Sequence, residues 1–145
     1  MEIIRPSEIH MDMIYEIEKS SFGDPWTKDD FRQSLKNRDY LFLAAVCDGT
    51  VRGYILGSVN GDYGYIDNLA VSPKHRRQGI GEMLLNKFFE YAENSEYCCG
   101  VSLEVRESNL PAISLYRKTG FTEAGKRIKF YSSPVEDALI MIKEI

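Results

Sequence analysis

Three stretches of this chain hold residue types whose spacing could do chemistry. The first is Arg76-Arg77-Gln78-Gly79-Ile80-Gly81, which follows a strand-like run and a Ser72-Pro73 turn and opens a long amphipathic segment. Glycines let the backbone approach a ligand closely, and the free amides and dipole of a helix start attract anions. With Lys74, Arg76 and Arg77 adding charge, the stretch reads as a cradle for a phosphate or pyrophosphate. The plainer reading is a flexible basic loop before a helix. It is not a Walker loop, and with only Gly79 and Gly81 in place it is not a dinucleotide fingerprint. The second is Val101-Ser102-Leu103-Glu104-Val105. Strand alternation sends Ser102 and Glu104 to the face opposite the three apolar residues. On a central strand such a carboxylate is out of pattern. Stripped of water it suits a general base, whereas on an edge strand it is a solvated side chain. The third runs from Asn109 through Pro111, Ile113 and Tyr116 to Gly120-Phe121. Asn109 caps a helix, and Pro111 sits in its first turn, where a missing N–H costs little. Tyr116 shares a face with Ile113, so it reads as core or, through its phenol, as a proton donor.

The elements that must position these residues follow from periodicity. A helix is expected after Ser7, with Ile9, Met13, Ile14 and Ile17 inward, and a second after Thr27, where Thr27 and Asp30 form an approximate capping box and Phe31 and Leu35 face inward. Strand-like runs at Tyr40 to Cys47, Val51 to Val59 and Tyr63 to Val71, separated by Asp48-Gly49 and Asn60-Gly61, predict an antiparallel meander. From Gly79 to about Asn94, Leu84, Phe88 and Ala92 recur at helical spacing beside Leu85 and Phe89. A strand over Cys99 to Val105, a helix over Asn109 to Thr119 and closing strands at Phe121 to Phe130 and Ala138 to Ile142 complete the order ααβββαβαββ. This is a mixed α/β sheet whose β-α-β unit implies one central parallel pair with a right-handed crossover and helices on both faces. Without repeats or linker-like stretches, residues 1–145 read as one domain.

Composition narrows the function classes. The 145 residues are 43% hydrophobic and 28% charged, ordinary for a folded globular chain. The 18 Lys+Arg against 22 Asp+Glu give a net charge of −4, the wrong balance for nonspecific nucleic-acid binding. Three cysteines, Cys47, Cys98 and Cys99, make no disulfide framework and no zinc pattern; they read as packing residues in a reducing cytoplasm, and no metal site is expected. No signal peptide or membrane-length run is present, so no membrane partner is expected.

Taken together, Asn68-Leu69-Ala70-Val71-Ser72-Pro73, the RRQGIG loop, Leu103-Glu104-Val105-Arg106 and the N-x-x-A-x-x-L-Y-x-x-x-G-F run resemble the GNAT acyltransferases over nearly the whole chain. Pro25-Trp26 and Glu136-Asp137-Ala138 make the chain most similar to the RimI-type subgroup, which acetylates protein N-termini. The resemblance implies acetyl-CoA as cosubstrate. Its pantetheine arm would pair with the backbone of Leu69, Ala70 and Val71, and its pyrophosphate would bind over Arg76, Arg77, Gln78, Gly79, Ile80, Gly81 and Glu82. Asn109 would contact the cosubstrate at the mouth of the next helix. Glu104 matches the general base and Tyr116 the residue that protonates the departing sulfur, with a backbone amide, that of Val71, polarising the thioester carbonyl. Tyr131 would line the entrance for the peptide amine, Tyr63 and Tyr65 would border it, and Glu136 and Asp137 would attract a basic ribosomal-protein tail or else form a solvated turn.

Two positions depart from the subgroup's pattern. Glu82 stands where relatives often carry Arg, and Phe130 replaces the first of a Tyr pair, removing a hydroxyl from the entrance. The resemblance therefore implies the N-terminal alanine of a small-subunit ribosomal protein as acceptor, with looser N-terminal acetylation as an alternative. Two further readings stand beside it: an enzyme for a small amine such as a polyamine or aminoglycoside, and a non-catalytic acyl-CoA-binding module that would not need Glu104 and Tyr116. The oligomeric state is not legible from these residues.

Overall fold

The computed structural model describes residues 1–145. Its elements run β1 (Glu2–Ile4), α1 (Met11–Ser21), α2 (Lys28–Lys36), β2 (Tyr40–Cys47), β3 (Thr50–Ser58), β4 (Tyr63–Val71), α3 (Ile80–Glu93), β5 (Gly100–Arg106), α4 (Leu110–Lys118), β6 (Thr122–Ser132) and β7 (Val135–Glu144). They build one seven-stranded sheet in the order β1-β2-β3-β4-β5-β7-β6. Every pairing is antiparallel except β4 with β5. The mixed α/β architecture, its meander and its parallel β-α-β pair are those the sequence predicts.

Each face of the sheet closes a core. Against one face α3 and α4 bury Leu84, Leu85, Phe88, Ile113 and Tyr116 over Leu43, Ile55, Leu103 and Met141. Against the other, α1 and α2 bury Met11, Ile14 and Phe31 over Phe42, Tyr54 and Leu56. The Thr27–Asp30 capping box forms in both directions, Asp30 N to Thr27 Oγ1 at 3.1 Å and Thr27 N to Asp30 Oδ2 at 2.9 Å. It fixes where α2 begins, and so where Phe31 points.

Four expectations are corrected. Ser7 precedes a short 3-10 turn (Glu8–His10), not an α-helix; that turn shifts the phase, so Met11 is buried and Ile9 lies in water. The three-residue β1 was not foreseen; it is too short to show a period and exists because Glu2–Ile4 pair with Ala44–Val46. Cys99 is exposed and does not pack, while Cys98 lies against the larger core. Glu136 and Asp137 sit inside β7, because β6 and β7 extend past the sheet as a long hairpin.

Two irregularities of β4 matter for function. Leu56 pairs with Asn68 but the next residue, Gly57, pairs with Ile66, which leaves Asp67 as the extra residue of a β-bulge. The bulge inverts the strand's phase: before it the even residue Ile66 enters the α3/α4 core, and after it the even residue Ala70 enters the α1/α2 core. The ladder to β5 is also brief. It joins Tyr63, Gly64 and Tyr65 to Gly100, Val101 and Ser102 and then stops, although both strands continue. Beyond that point the two strands part.

Phe31 is fully buried against Trp26, Phe42 and Tyr54, at ring distances of 5.5, 5.8 and 5.6 Å. Phe31→Ala is therefore expected to cost ~3–5 kcal/mol by the usual penalty for emptying an aromatic site, measured as a lowered urea midpoint at unchanged slope.

Candidate active site

Where β4 and β5 part, a cleft of about 330 Å³ opens on the side of α1. Its walls come from the end of α1 and the loop to Trp26, from Tyr65–Leu69 of β4, from Leu103–Arg106 of β5, from Asn109, Ala112 and Tyr116, and from Phe130 and Tyr131 of β6. Six of the residues expected at the site thus meet in one place: Glu104, Tyr116, Asn109, Leu69, Tyr131 and Tyr65.

Glu104 lies on a central strand, between β4 and β7, and its side chain is only 8% exposed. The solvated edge-strand reading is therefore excluded. One carboxylate oxygen accepts from the Tyr65 hydroxyl and the other from Arg127 Nε at 3.0 Å. Arg127 reaches in from the edge strand β6 and stays half exposed. Tyr116 is buried beside Phe121 but also lines the cleft, and its hydroxyl makes no hydrogen bond. Burial first, and then Tyr131, push its pKa well above that of a free phenol, so it holds its proton at any physiological pH. Tyr131 is pushed up to about 12, by burial and then by the charge of Glu104.

The mouth of the cleft is tied shut on one side. Arg106 Nη1 donates to Glu136 at 3.1 Å and to the Pro134 carbonyl at 2.9 Å, Nη2 donates to the Ser133 carbonyl at 3.1 Å, and the guanidinium lies 4.4 Å from the centre of the Tyr131 ring. Glu136 also accepts from Ser108 N at 2.7 Å, and these donors hold its carboxyl below the usual range. Asp24 in the loop after α1 receives Ser132 Oγ at 3.2 Å and Ser133 N at 3.1 Å. Gly23 is required beside it, because a Cβ there would collide with the Ser133 carbonyl. Glu136 therefore fastens the β6–β7 hairpin over the cleft. Asp137 accepts from Lys129 N at 2.9 Å within the same hairpin, and neither carboxylate lines the cleft.

The loop expected to cradle a phosphate follows the C-terminal end of β4. Arg77 and Gly79 have left-handed backbones, φ 64° and 80°, the kind of turn that presents successive N–H groups to an anion. In α3 the first i−4 bond is Met83 N to Gly79 O at 3.0 Å, so the amides of Ile80, Gly81 and Glu82 have no such partner. Gly81 is buried where a Cβ would press on Leu115. Arg76 is anchored to β4 and α1: its Nε donates to the Val71 carbonyl at 3.1 Å and its Nη2 to Ser21 Oγ at 3.3 Å, both neutral acceptors, so its charge stays uncompensated and exposed beside the loop. Lys74, Arg77 and Gln78 stay exposed. The Glu82 carboxylate is neutralised by Lys118 at 3.0 Å. Along the parted edge, Leu69 and Val71 pack on the α3/α4 core and Ala70 on the other. Asn109 caps α4 through Ala112 N at 3.3 Å.

Sequence reasoning missed the centre of the α1 wall. Glu18 is 1% exposed with no cation nearby; it accepts from the Tyr54 hydroxyl, from Asn68 Nδ2 at 3.1 and 3.2 Å, and from Trp26 N at 2.9 Å. A glutamate on an amphipathic helix reads as solvent-facing, and only the partner strand reveals otherwise. Asp67 was also missed, since a bulge depends on the register with β3. Its carboxyl pKa is pushed up to about 6, by desolvation first and by the charge of Glu104 second.

The profile of the Acetyltransferase (GNAT) family matches residues 11–121. The Bacillus subtilis protein named "Putative ribosomal protein bS18-alanine N-acetyltransferase" is 41% identical over 132 residues, covering 90% of this chain and 87% of its own. The Escherichia coli ribosomal protein bS18-alanine N-acetyltransferase is 35% identical, covering 88% and 86%. A crystal structure of the ribosomal-protein-S18-alanine N-acetyltransferase from Escherichia coli superposes with a TM-score of 0.88 at 31% identity, covering 99% of this chain and 93% of that one.

Asp67 makes a stability prediction. Its folded pKa of about 6 lies above the ~3.9 of an unfolded aspartate. The ionised carboxylate therefore disfavours the fold fully above about pH 6, and the penalty fades as pH falls through that window toward 4. Asp67→Asn is expected to raise the melting temperature at pH 8 by roughly 2–4 °C, about 1 kcal/mol after solvent screening, and to change it little at pH 4.

Proposed function

The chain belongs to the GNAT acetyltransferase family, and on that premise we propose that it transfers an acetyl group from acetyl-CoA to the N-terminal α-amine of a protein, the N-terminal alanine of a small-subunit ribosomal protein in particular. The observation that carries the reading is the meeting of Glu104 and Tyr116 in one cleft, at the point where β4 loses its neighbour. The residues present fit the cosubstrate. The unpaired edge of β4 over Leu69–Val71 would take the pantetheine arm as an added strand, and the left-handed turn at Arg77–Gly79 with the amides of Ile80, Gly81 and Glu82 would take the pyrophosphate. Bound there, acetyl-CoA supplies an activated acyl group.

The protein's own residues do the rest. The cleft holds the amine in place, which saves the entropy of a bimolecular encounter. An α-amine has a pKa of about 7.7–8.0, so only one proton needs removing from part of the population. Glu104 accepts that proton, with Tyr65 orienting its carboxylate and half-exposed Arg127 moving aside to free its other oxygen. A main-chain amide at Val71 polarises the carbonyl oxygen. Tyr116, held protonated by burial, gives its proton to the departing sulfur. No covalent enzyme intermediate is required. The hairpin fastened by Arg106 and Glu136 forms the entrance wall, with Tyr131 on it; Asp137, outside the cleft and without an ion-pair partner, would add negative charge to the approach of a basic tail.

The test is acetyl-CoA-dependent acetylation of a peptide beginning Ala-Arg, the same peptide with a blocked N-terminus, a lysine-containing control and spermidine, with mass spectrometry locating the acetyl group. Transfer to the free Ala-Arg terminus alone is expected. Transfer to spermidine or lysine alone would move the substrate to a small or side-chain amine. Glu104→Gln is expected to cut kcat by about 10²–10⁴ and Tyr116→Phe by about 10², with the acetyl-CoA dissociation constant unchanged in both. Undiminished turnover in Glu104→Gln would remove it as the base.

A further inference from the structure

The β6–β7 ladder is interrupted beside the cleft. Arg127 pairs with Ala138 and Tyr131 with Glu136, so Ile128, Lys129 and Phe130 of β6 stand against the single residue Asp137 of β7. A bulge of this kind re-aims the side chains around it. Neighbouring side chains of a regular strand point to opposite faces, yet Phe130 and Tyr131 both line the cleft, their rings edge to face at 5.1 Å. Together they make an aromatic corner on the entrance wall. Packing does not hold the bulge in this shape: Ile128 is 70% exposed and Phe130 49% exposed. Lys129 has a left-handed backbone, φ 52°, which a residue other than glycine adopts at a cost. Arg106 grips the Tyr131 ring, Ser133 and Pro134, all of which come after the bulge. The contact that ties the bulge itself is the one from Lys129 N to Asp137 Oδ1 at 2.9 Å. Asp137 makes it from the far face of β7. It shares the parity of Leu139 and Met141, which enter the α3/α4 core, and its own carbonyl accepts from Glu107 N at 3.3 Å.

We propose that Asp137 is a positioning residue of the acceptor site: by holding the Lys129 amide, its carboxylate oxygen keeps the bulge that turns Phe130 and Tyr131 into the cleft together. The inference rests on the acetyl-transfer reading above, in which the acceptor's chain passes this wall to bring its amine to Glu104. In this role Asp137 touches no substrate and acts through the backbone of Lys129. What it supplies is an oxygen acceptor at one place, and that is separable from negative charge. Attraction of a basic tail needs the charge, works through solvent and is screened by salt. The hold on Lys129 needs only the acceptor, which an uncharged amide carbonyl also provides. Without it the Lys129 N–H turns to water, and the left-handed turn loses what offsets its cost. The corner is then in place for only part of the time, and acceptor affinity falls by that fraction. Glu104 and Tyr116 stand on β5 and α4, outside the hairpin, so the loss falls on KM and not on kcat.

The test measures steady-state transfer to the Ala-Arg peptide by the full-length protein at saturating acetyl-CoA, in about 0.5 M salt, where attraction between distant charges is screened. Asp137→Ala is expected to raise KM for the peptide about tenfold, to leave kcat within about twofold and to leave the acetyl-CoA dissociation constant unchanged. Asp137→Asn, which keeps an oxygen in the same place, is expected to stay within about twofold of the wild-type KM. Lys129→Gly added to Asp137→Ala is expected to recover part of the loss, because glycine takes the left-handed turn freely. Equal rises in KM for Asp137→Asn and Asp137→Ala would assign the effect to charge and overturn the proposal. So would an unchanged KM in Asp137→Ala, a fall in kcat at constant KM, or no recovery in the double variant. Should Asp137→Ala fail to fold, Asp137→Thr takes its place, a good strand former whose oxygen sits one bond nearer the backbone. If the wild-type protein acetylates spermidine and not the peptide, the protein-substrate reading fails and the wall is judged on spermidine: a raised KM in Asp137→Ala supports the proposal and an unchanged KM overturns it. A wild-type protein that acetylates neither overturns both.

Discussion

A backbone that loses its neighbour inside a protein must find other partners for its N–H and C=O groups. β4 and β5 run as a parallel pair for three residues and then separate, with both strands continuing at the centre of a seven-stranded sheet. The rest of the molecule is arranged around that gap. The β3 ladder and two packed helical layers hold β4 rigid on its other side, so the free edge is open but not floppy. α3 begins just past the end of that edge, with its unpaired amides toward the cradle loop. α4 brings Tyr116 against it from the far face. The cleft is thus a consequence of a broken ladder more than of any single side chain.

Keeping such a gap open has a cost that other polar groups offset. Glu18 carries a carboxylate into the apolar space under β4 with no cation to match it, and three donors from three different elements surround it. Such a fully partnered network ties α1, the Trp26 loop, β3 and β4 into one unit. The same loop is then fastened from above, by Asp24 to the β6–β7 hairpin and by the hairpin's own grip on Arg106. Opposite walls of the cleft are therefore mechanically linked, and Gly23 is the place where they touch.

Much of this is legible in the amino-acid sequence. The three meander strands, the long helix after Gly79, the Thr27 cap and the parallel crossover follow from local pattern and turn chemistry, and Glu104 stands out because a central strand is expected to be apolar on both faces. What was not legible depends on partners distant in sequence. β1 exists only as a neighbour of β2. The bulge at Asp67 is a mismatch of register between two strands, invisible in either alone. Glu18 looked like any solvent-facing helix residue. Arg76 reads as a phosphate ligand because basic residues near a glycine loop invite it; that its Nε is tied to the Val71 carbonyl depends on the turn and is invisible in the sequence. Glu136 and Asp137 looked like a turn because an acidic pair breaks an apolar run, and the protruding hairpin instead gives them a strand with work for their carboxylates.

The two ends of the site are built from different materials. The donor end rests on main-chain amides, a strand edge and a left-handed turn, which any compatible side chains can supply. The proposed acceptor end rests on identities, Phe130 and Tyr131 of the cleft wall among them, each set by a single codon. Mutational drift therefore acts on the two halves unequally. A chain of this architecture can exchange its acceptor wall piecemeal while inheriting the donor half intact, so divergence in what is modified is the easy path and divergence in what donates the group is the hard one.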